Sequence, residues 1–282
     1  MIVASTISVL REQVARHRRA GERIAFVPTM GSLHAGHLRL MSEARQRAPV
    51  VTASIYINPL QFSANEDFDA YPRTPEEDRV ALESVGVDVL FMPGDREMYA
   101  RSAAAVTRVE VPGLGDILCG AFRPGHFQGV ATVVTRLFNL VQPDVAIFGK
   151  KDYQQLMVVR RMVEDLGMPV EIIGVETVRE SDGLALSSRN RYLAASERAL
   201  APRLYKTLDG VRKRMLAGAT PLGAETWAME ALRAAGFRPD YVSVRRQADL
   251  APPAGADRGL VVLAAAWLGK TRLIDNLEFH LD

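Results

Sequence analysis

Two spacings of apolar residues alternate along the first two thirds of the chain. Short continuous runs, Ile24 to Val27, Val50 to Ile57, Val87 to Met92, Val145 to Phe148 and Val170 to Val175, read as buried strands. Between them, apolar residues return every three or four positions. They do so at Val3, Ile7, Leu10 and Val14, from Leu38 to Ala44, from Val80 to Val85, from Val130 to Val141 and from Leu156 to Leu166. That spacing predicts amphipathic helices, and their alternation with strands predicts an α/β layer structure. Thr74-Pro75-Glu76-Glu77 predicts a helix start, with Thr74 as cap and Glu77 completing a capping box, and Gly86 predicts its end. Val106 to Val111 alternates and predicts a more exposed strand.

After Asn190 the pattern changes. Ser196 is placed to cap a long basic helix running to about Leu216, and Thr220-Pro221 to open another that ends near Gly236. Tyr241 to Val244, Leu260 to Trp267 and Thr271 to Phe279 read as strands, so this is a separate α+β unit with a boundary between Glu176 and Asn190. A chain of 282 residues has room for one or two domains. Its net charge of +2 implies no strong field for nucleic acid or membrane. A single cysteine, Cys119, suits a reducing compartment. The start does not read as a signal peptide, and the longest apolar run, Leu260 to Leu268, is too short to span a bilayer. A soluble, cytoplasmic protein is expected.

The chemistry concentrates where the first long strand ends, at Pro28-Thr29-Met30-Gly31-Ser32-Leu33-His34-Ala35-Gly36-His37. Pro28 and Gly31 break the strand, and helical spacing resumes at His37. Ligands of α/β sheets bind at such carboxyl ends, and the following helix offers N–H groups and a positive dipole end to a phosphate. His34 and His37, three apart, share a face of the first turn, and imidazole N–H groups can donate to phosphate oxygens. A zinc site would need further ligands, and Cys119 is distant. No nucleophile is present. The stretch suits charge stabilisation during attack at phosphorus.

Other strand-end loops add polar groups. Gln61, in Asn58-Pro59-Leu60-Gln61-Phe62, is a neutral donor and acceptor suited to hydroxyls and carboxylates, or a solvent-facing turn residue. Ser63 to Tyr71 is polar and long enough for a binding loop or lid. Arg123 and His126 stand at the mouth of an apolar helix, to hold an anion or simply to face solvent. Gly149 gives backbone access, Lys151 a point charge, and Asp152 a helix cap. Ser187-Ser188-Arg189, after a turn at Ser181-Asp182-Gly183, could cluster on a phosphate.

Together these blocks resemble the pantothenate synthetase (pantoate–β-alanine ligase) family, within the wider nucleotidyltransferases that carry a His-x-Gly-His signature. The resemblance rests on Pro28 to His37, Asn58 to Phe62, Tyr71-Pro72-Arg73-Thr74, Arg123 to Val130, Gly149 to Leu156, Ser187 to Asn190 and Leu273-Ile274-Asp275-Asn276, in the family's order. It implies a Rossmann-like parallel-sheet domain over 1–176 that binds ATP and pantoate. It implies a smaller α+β domain over 177–282 that closes over the site. It also implies a Mg2+-ATP-dependent reaction in two steps: pantoate attacks the α-phosphate to give pantoyl adenylate and diphosphate, then β-alanine displaces AMP. A homodimer is implied too.

By position, the resemblance makes Met30, Gly31, Ser32, Leu33, His34, Ala35, Gly36 and His37 the ATP-binding turn, with His37 as proton donor and His34 as phosphate partner. Gly149, Lys150, Lys151, Asp152, Val178, Leu186, Ser187, Ser188 and Arg189 become the other ATP contacts, Lys151 and Arg189 neutralising phosphate charge. Gln61 becomes a contact for pantoate and β-alanine, and Gln155 one for pantoate. The metal ligands are not implied. The chain departs from the family pattern at Lys150, usually acidic or neutral, at Leu186, usually Met, and at Ser63-Ala64, commonly Gly-Pro. A nucleotidyltransferase with a phosphorylated acceptor would want more cations and fewer glutamines. An RNA-binding relative would want a basic stripe.

Overall fold

The computed structural model describes residues 1–63, 66–99 and 105–281. The chain forms two units, Met1–Lys150 with Gln155–Glu176, and Lys151–Gln154 with Thr177–Asp282. In the first unit the order is β1 (Ile2–Ala4), α1 (Ile7–Arg19), β2 (Ile24–Thr29), α2 (Ala35–Arg47), β3 (Val50–Ile55), α3 (Pro75–Ser84), β4 (Val89–Phe91), α4 (Asp95–Met98), α5 (Cys119–Phe122), α6 (His126–Val141), β5 (Val145–Gly149), α7 (Tyr153–Asp165) and β6 (Glu171–Val175). The first two residues of α7 belong to the second unit.

All strand pairs of this sheet are parallel, in the order β1-β4-β3-β2-β5-β6. From β2 the chain builds outward through β3 and β4. It then returns to the other side of β2 with β5. The direction therefore reverses between β2 and β5, which is where a doubly wound sheet leaves a crevice at its carboxyl ends. Alternation along β2 sends Ala25 and Val27 to a core with Leu40, Met41 and Ala44 of α2. Phe26 points to the other face, where its ring meets Phe138 edge-on at 6.3 Å.

Asp144, just before β5, clips this centre together. It accepts two bonds from Arg18, at 2.9 and 2.8 Å, and the Ile24 N–H at 2.7 Å. Burial pushes its carboxyl up, but the Arg18 bonds and the Ile24 N–H outweigh this and hold it below the usual carboxylate range. A depressed folded pKa stabilises above the unfolded value and loses that effect as pH falls. Asp144→Ala is therefore expected to cost about 1 kcal/mol at neutral pH, a charged hydrogen bond discounted for solvent screening. The deficit should shrink in urea titrations taken down through and below the ordinary carboxylate range, as the wild-type carboxyl is protonated.

The second unit adds α8 (Ala195–Leu200), α9 (Arg203–Leu216), α10 (Pro221–Ala234), β7 (Arg238–Arg246), β8 (Gly259–Leu268) and β9 (Thr271–His280). The strands form an antiparallel sheet in the order β7-β8-β9. Leu204, Leu208 and Val211 of α9 and Ala224, Ala228 and Leu232 of α10 fill a core with Val262, Ala264, Leu273 and Phe279 of the sheet.

Five expectations need correction. Pro28 does not break β2, which runs through it to Thr29 with Pro28 paired to Ser54. Val3 lies in edge strand β1, ahead of the helix. Val106 to Val111 forms no strand; Val109 N–H is bonded to the Thr132 hydroxyl at 3.0 Å in place of a strand partner. Thr74 makes no side-chain cap: its backbone, at φ −130° and ψ 56°, is not in the extended conformation of a cap, and its hydroxyl donates to Asp78 at 3.1 Å. The predicted helix from Ser196 to Leu216 is two helices parted at Ala201-Pro202. Ala194, not Ser196, is the first cap, with its N–H on Glu197.

Candidate active site

The exits of β2, β3 and β5 share one edge of the sheet. At the exit of β2, Gly31 has φ +84°, and a Cβ there would stand 2.9 Å from both Asp78 Oδ2 and Ile55 Cγ2. Only glycine makes that turn. Asp78, buried on α3, then catches the loop: Oδ2 accepts Ser32 N–H at 2.9 Å and Oδ1 accepts Leu33 N–H at 2.8 Å. Nothing in the sequence marks Asp78, which sits among three acidic residues of one helical turn. Only the fold brings it 46 positions back to Ser32.

The two imidazoles cap α2 reciprocally. His34 is the N-cap, and its Nδ1 accepts Gly36 N–H at 3.1 Å. His37 Nδ1 accepts His34 N–H at 3.3 Å, and the ring centroids lie 4.1 Å apart. A ring nitrogen that accepts carries no proton, so these bonds put each proton on Nε2. Each ring is thereby a neutral Nε2–H donor beside the N-terminus of α2.

Gln61 lies in a 3-10 turn, Pro59–Gln61, after β3 and is buried. Its Nε2 contacts Met30 Sδ at 3.1 Å, so the predicted acid-binding amide touches the predicted nucleotide loop. Asn58 fixes it. Asn58 Nδ2 donates to Gln61 Oε1 at 3.2 Å and to Gly129 O at 3.0 Å. Asn58 Oδ1 accepts from Leu60 N–H at 3.2 Å and Tyr99 OH at 2.9 Å. Burial pushes the Tyr99 phenol up to about 12, which keeps it a donor at any working pH. A Cβ on Gly129 would overlap the Leu60 carbonyl and stand 2.6 Å from Gln61 N, so the glycine of α6 lets the turn pack against the helix.

Arg123 and His126 do not face solvent. Arg123 donates to both oxygens of Glu66, at 2.7 and 2.6 Å, and to His126 Nε2 at 3.0 Å. His126 Nδ1 donates to Gln61 O at 2.8 Å. They brace the Gln61 turn. In the long loop, Arg73 gathers the carbonyls of Phe68, Asp69 and Tyr71 at 3.0–3.1 Å. The Ala64 departure lies outside the described residues.

Gly149 ends β5 next to β2, with open space where a Cβ would be. Lys150 pairs with Glu176, which offsets the charge that its departure from the family pattern adds. Gln155 is half-buried in the first turn of α7, after β5. The remaining predicted ATP contacts belong to the second unit. Val178 O accepts Leu186 N–H at 3.0 Å across a hairpin whose turn at Gly183 has φ +97°. Ser187 caps the 3-10 turn Ser188–Tyr192 by accepting Arg189 N–H at 3.3 Å. Asp152 stands immediately ahead of α7, as the last residue of a 3-10 turn, Lys150–Asp152, that runs into it, and lies 3.9 Å from Lys151 Nζ.

Residues 2–278 match the model of the pantoate-beta-alanine ligase family. A pantothenate synthetase of Shewanella amazonensis is 58% identical over 279 residues, 99% of each chain. The crystal structure of pantothenate synthetase from Thermus thermophilus superposes with a TM-score of 0.91 at 51% identity, covering 98% of this chain and 99% of that one. A pantoate-beta-alanine ligase from Francisella tularensis, complexed with beta-gamma ATP and beta-alanine, gives 0.83 at 31% identity, over 98% and 97%.

Proposed function

This chain belongs to the pantoate–β-alanine ligase family, and from that premise we propose that it is a ligase joining pantoate to β-alanine through a pantoyl adenylate. One observation carries the reading: Gln61, the amide assigned to the acid, lies against Met30, the first residue of the loop assigned to ATP. Attack of a carboxylate on an α-phosphorus requires such adjacency, because positioning does most of the work in phosphoryl chemistry. An amide also holds the acid without a salt bridge that would blunt its nucleophilicity.

In this reading the Nε2–H groups of His34 and His37 bond the phosphate oxygens, and charge that develops there meets donors already in place. His37 has an acceptor-locked ring, so it stabilises by hydrogen bonding and holds its proton on Nε2. Lys151 and Arg189 neutralise the phosphates, and Gln155 joins Gln61 on pantoate. The pantoate oxygen forms its bond to the α-phosphorus as the bond to diphosphate breaks. The β-alanine amine then attacks the acyl carbon, loses a proton, and AMP leaves with its electron pair. The carboxylate that touches the loop, Asp78, is committed to two backbone N–H groups. Mg2+ would therefore enter with the nucleotide rather than on this carboxylate. Its chemistry is charge neutralisation on the leaving diphosphate. A cytoplasmic homodimer completes the reading.

A transferase acting on a phosphorylated acceptor would need cations where Asn58 and Gln61 stand, and the nearby Arg123 is tied to Glu66. The test is release of AMP and diphosphate from ATP and pantoate, with and without β-alanine. Diphosphate formed before β-alanine is added, and AMP only after it, is the expected result. No diphosphate until all three substrates are present overturns the adenylate.

A further inference from the structure

The segment Leu273-Ile274-Asp275-Asn276 takes no part in the site above, yet Asp275 and Asn276 are 4% and 6% exposed. Buried polar groups on a strand need partners. Alternation along β9 puts Leu273, Asp275 and Phe279 on one face and Asn276 and Glu278 on the other. The first face joins the core of the second unit. The second grips the segment that carries Lys151. Asn276 Nδ2 donates to the Lys151 carbonyl at 2.9 Å, and Tyr153 OH donates to Glu278 Oε1 at 2.8 Å. Residues two apart on β9 thus hold residues two apart beside it. Behind Asn276, Arg179 donates to both oxygens of Asp275 at 2.7 and 2.9 Å and to Asn276 O at 3.1 Å, so the strand itself is pinned.

We propose that Asn276 is a positioning residue: it fixes the main chain of Lys151 and thereby aims the ammonium that the reading above assigns to the phosphates. A lysine ammonium is a point charge on a flexible stem, so its mean position follows its Cα, and a misplacement of about 1 Å can cost on the order of 10²-fold. The proposal rests on the assignment of Lys151 to ATP.

The experiment measures diphosphate release from ATP and pantoate, without β-alanine and at steady state over a range of β-alanine, by wild type, Lys151→Ala, Asn276→Ala and the isosteric Asn276→Asp, with both Asn276 variants also made in the Lys151→Ala background. The expected result is a loss of roughly tenfold to 10²-fold in kcat/KM for ATP in both Asn276 variants. KM for β-alanine should not change, and no further loss should appear once Lys151 is gone. Thermal unfolding of each variant separates this from general damage, since Asn276→Asp keeps the packing volume. Wild-type kinetics for Asn276→Asp overturns the proposal, as does an Asn276 loss that multiplies the Lys151→Ala loss. Full activity of Lys151→Ala overturns the assignment of Lys151, and the proposal with it, and is a distinct outcome.

Discussion

Replacing His37 by Ala is expected to slow adenylate formation on the order of 10²- to 10³-fold, about 2.7–4 kcal/mol of transition-state stabilisation. The side chain has two jobs that the substitution removes together. Its Nδ1 caps α2 by accepting the His34 N–H, and its Nε2–H is the donor for phosphate. Two further variants separate them. Asn places a polar atom near the Nδ1 position, so His37→Asn should keep thermal stability near wild type and remain slow. Gln reaches the Nε2 position, so His37→Gln should recover part of kcat while losing about 1 kcal/mol of cap. Single-turnover diphosphate release gives the rate and calorimetry the stability. If His37→Asn turns over like wild type, the cap alone matters and the phosphate role is wrong.

The imidazole loop was legible because every signal for it is local. An apolar run, Gly31 and the helical spacing after it place β2, the turn and α2 within two residues of where they lie, although β2 runs on through Pro28 and only Gly31 breaks it. Local signals failed where tertiary partners decide. Val109 alternates with its neighbours as a strand residue does, but its N–H meets a hydroxyl of α6, so no ladder forms. Thr74 has the sequence of a cap and spends its hydroxyl on Asp78. The supporting residues were the least visible. Asp78 reaches Ser32 across 46 positions, Asn58 reaches Gly129 across 71, and Asn276 reaches Lys151 across 125. Spacing along a chain carries no trace of such pairs. The family resemblance supplied Asp275 and Asn276 as a motif without a reason, and the sheet register of β9 gives one.

That motif also sets the largest stability effect. Arg179→Ala is expected to destabilise the second unit by about 3–5 kcal/mol, the cost of stranding a buried charge. Arg179 makes four hydrogen bonds, two to Asp275 and one each to the carbonyls of Gly183 and Asn276, and its guanidinium lies 3.8 Å from the centre of the Tyr205 ring. Burial pushes the Asp275 carboxyl up, while Arg179 and the Asn276 N–H oppose that shift. Without Arg179 the upward shift grows. A carboxyl whose folded pKa is raised favours folding when protonated, so stability falls as pH rises past its unfolded value of about 3.9. The Arg179→Ala deficit should accordingly be smallest near pH 4 and widen toward pH 7. Removing both charges with Arg179→Met and Asp275→Leu should recover most of the loss, since an apolar pair of similar size avoids desolvation altogether. Urea unfolding of the three proteins across that range reads both effects. An Arg179→Ala deficit that does not change with pH would mean that the lost hydrogen bonds to Gly183 and Asn276, not the stranded carboxylate, account for it.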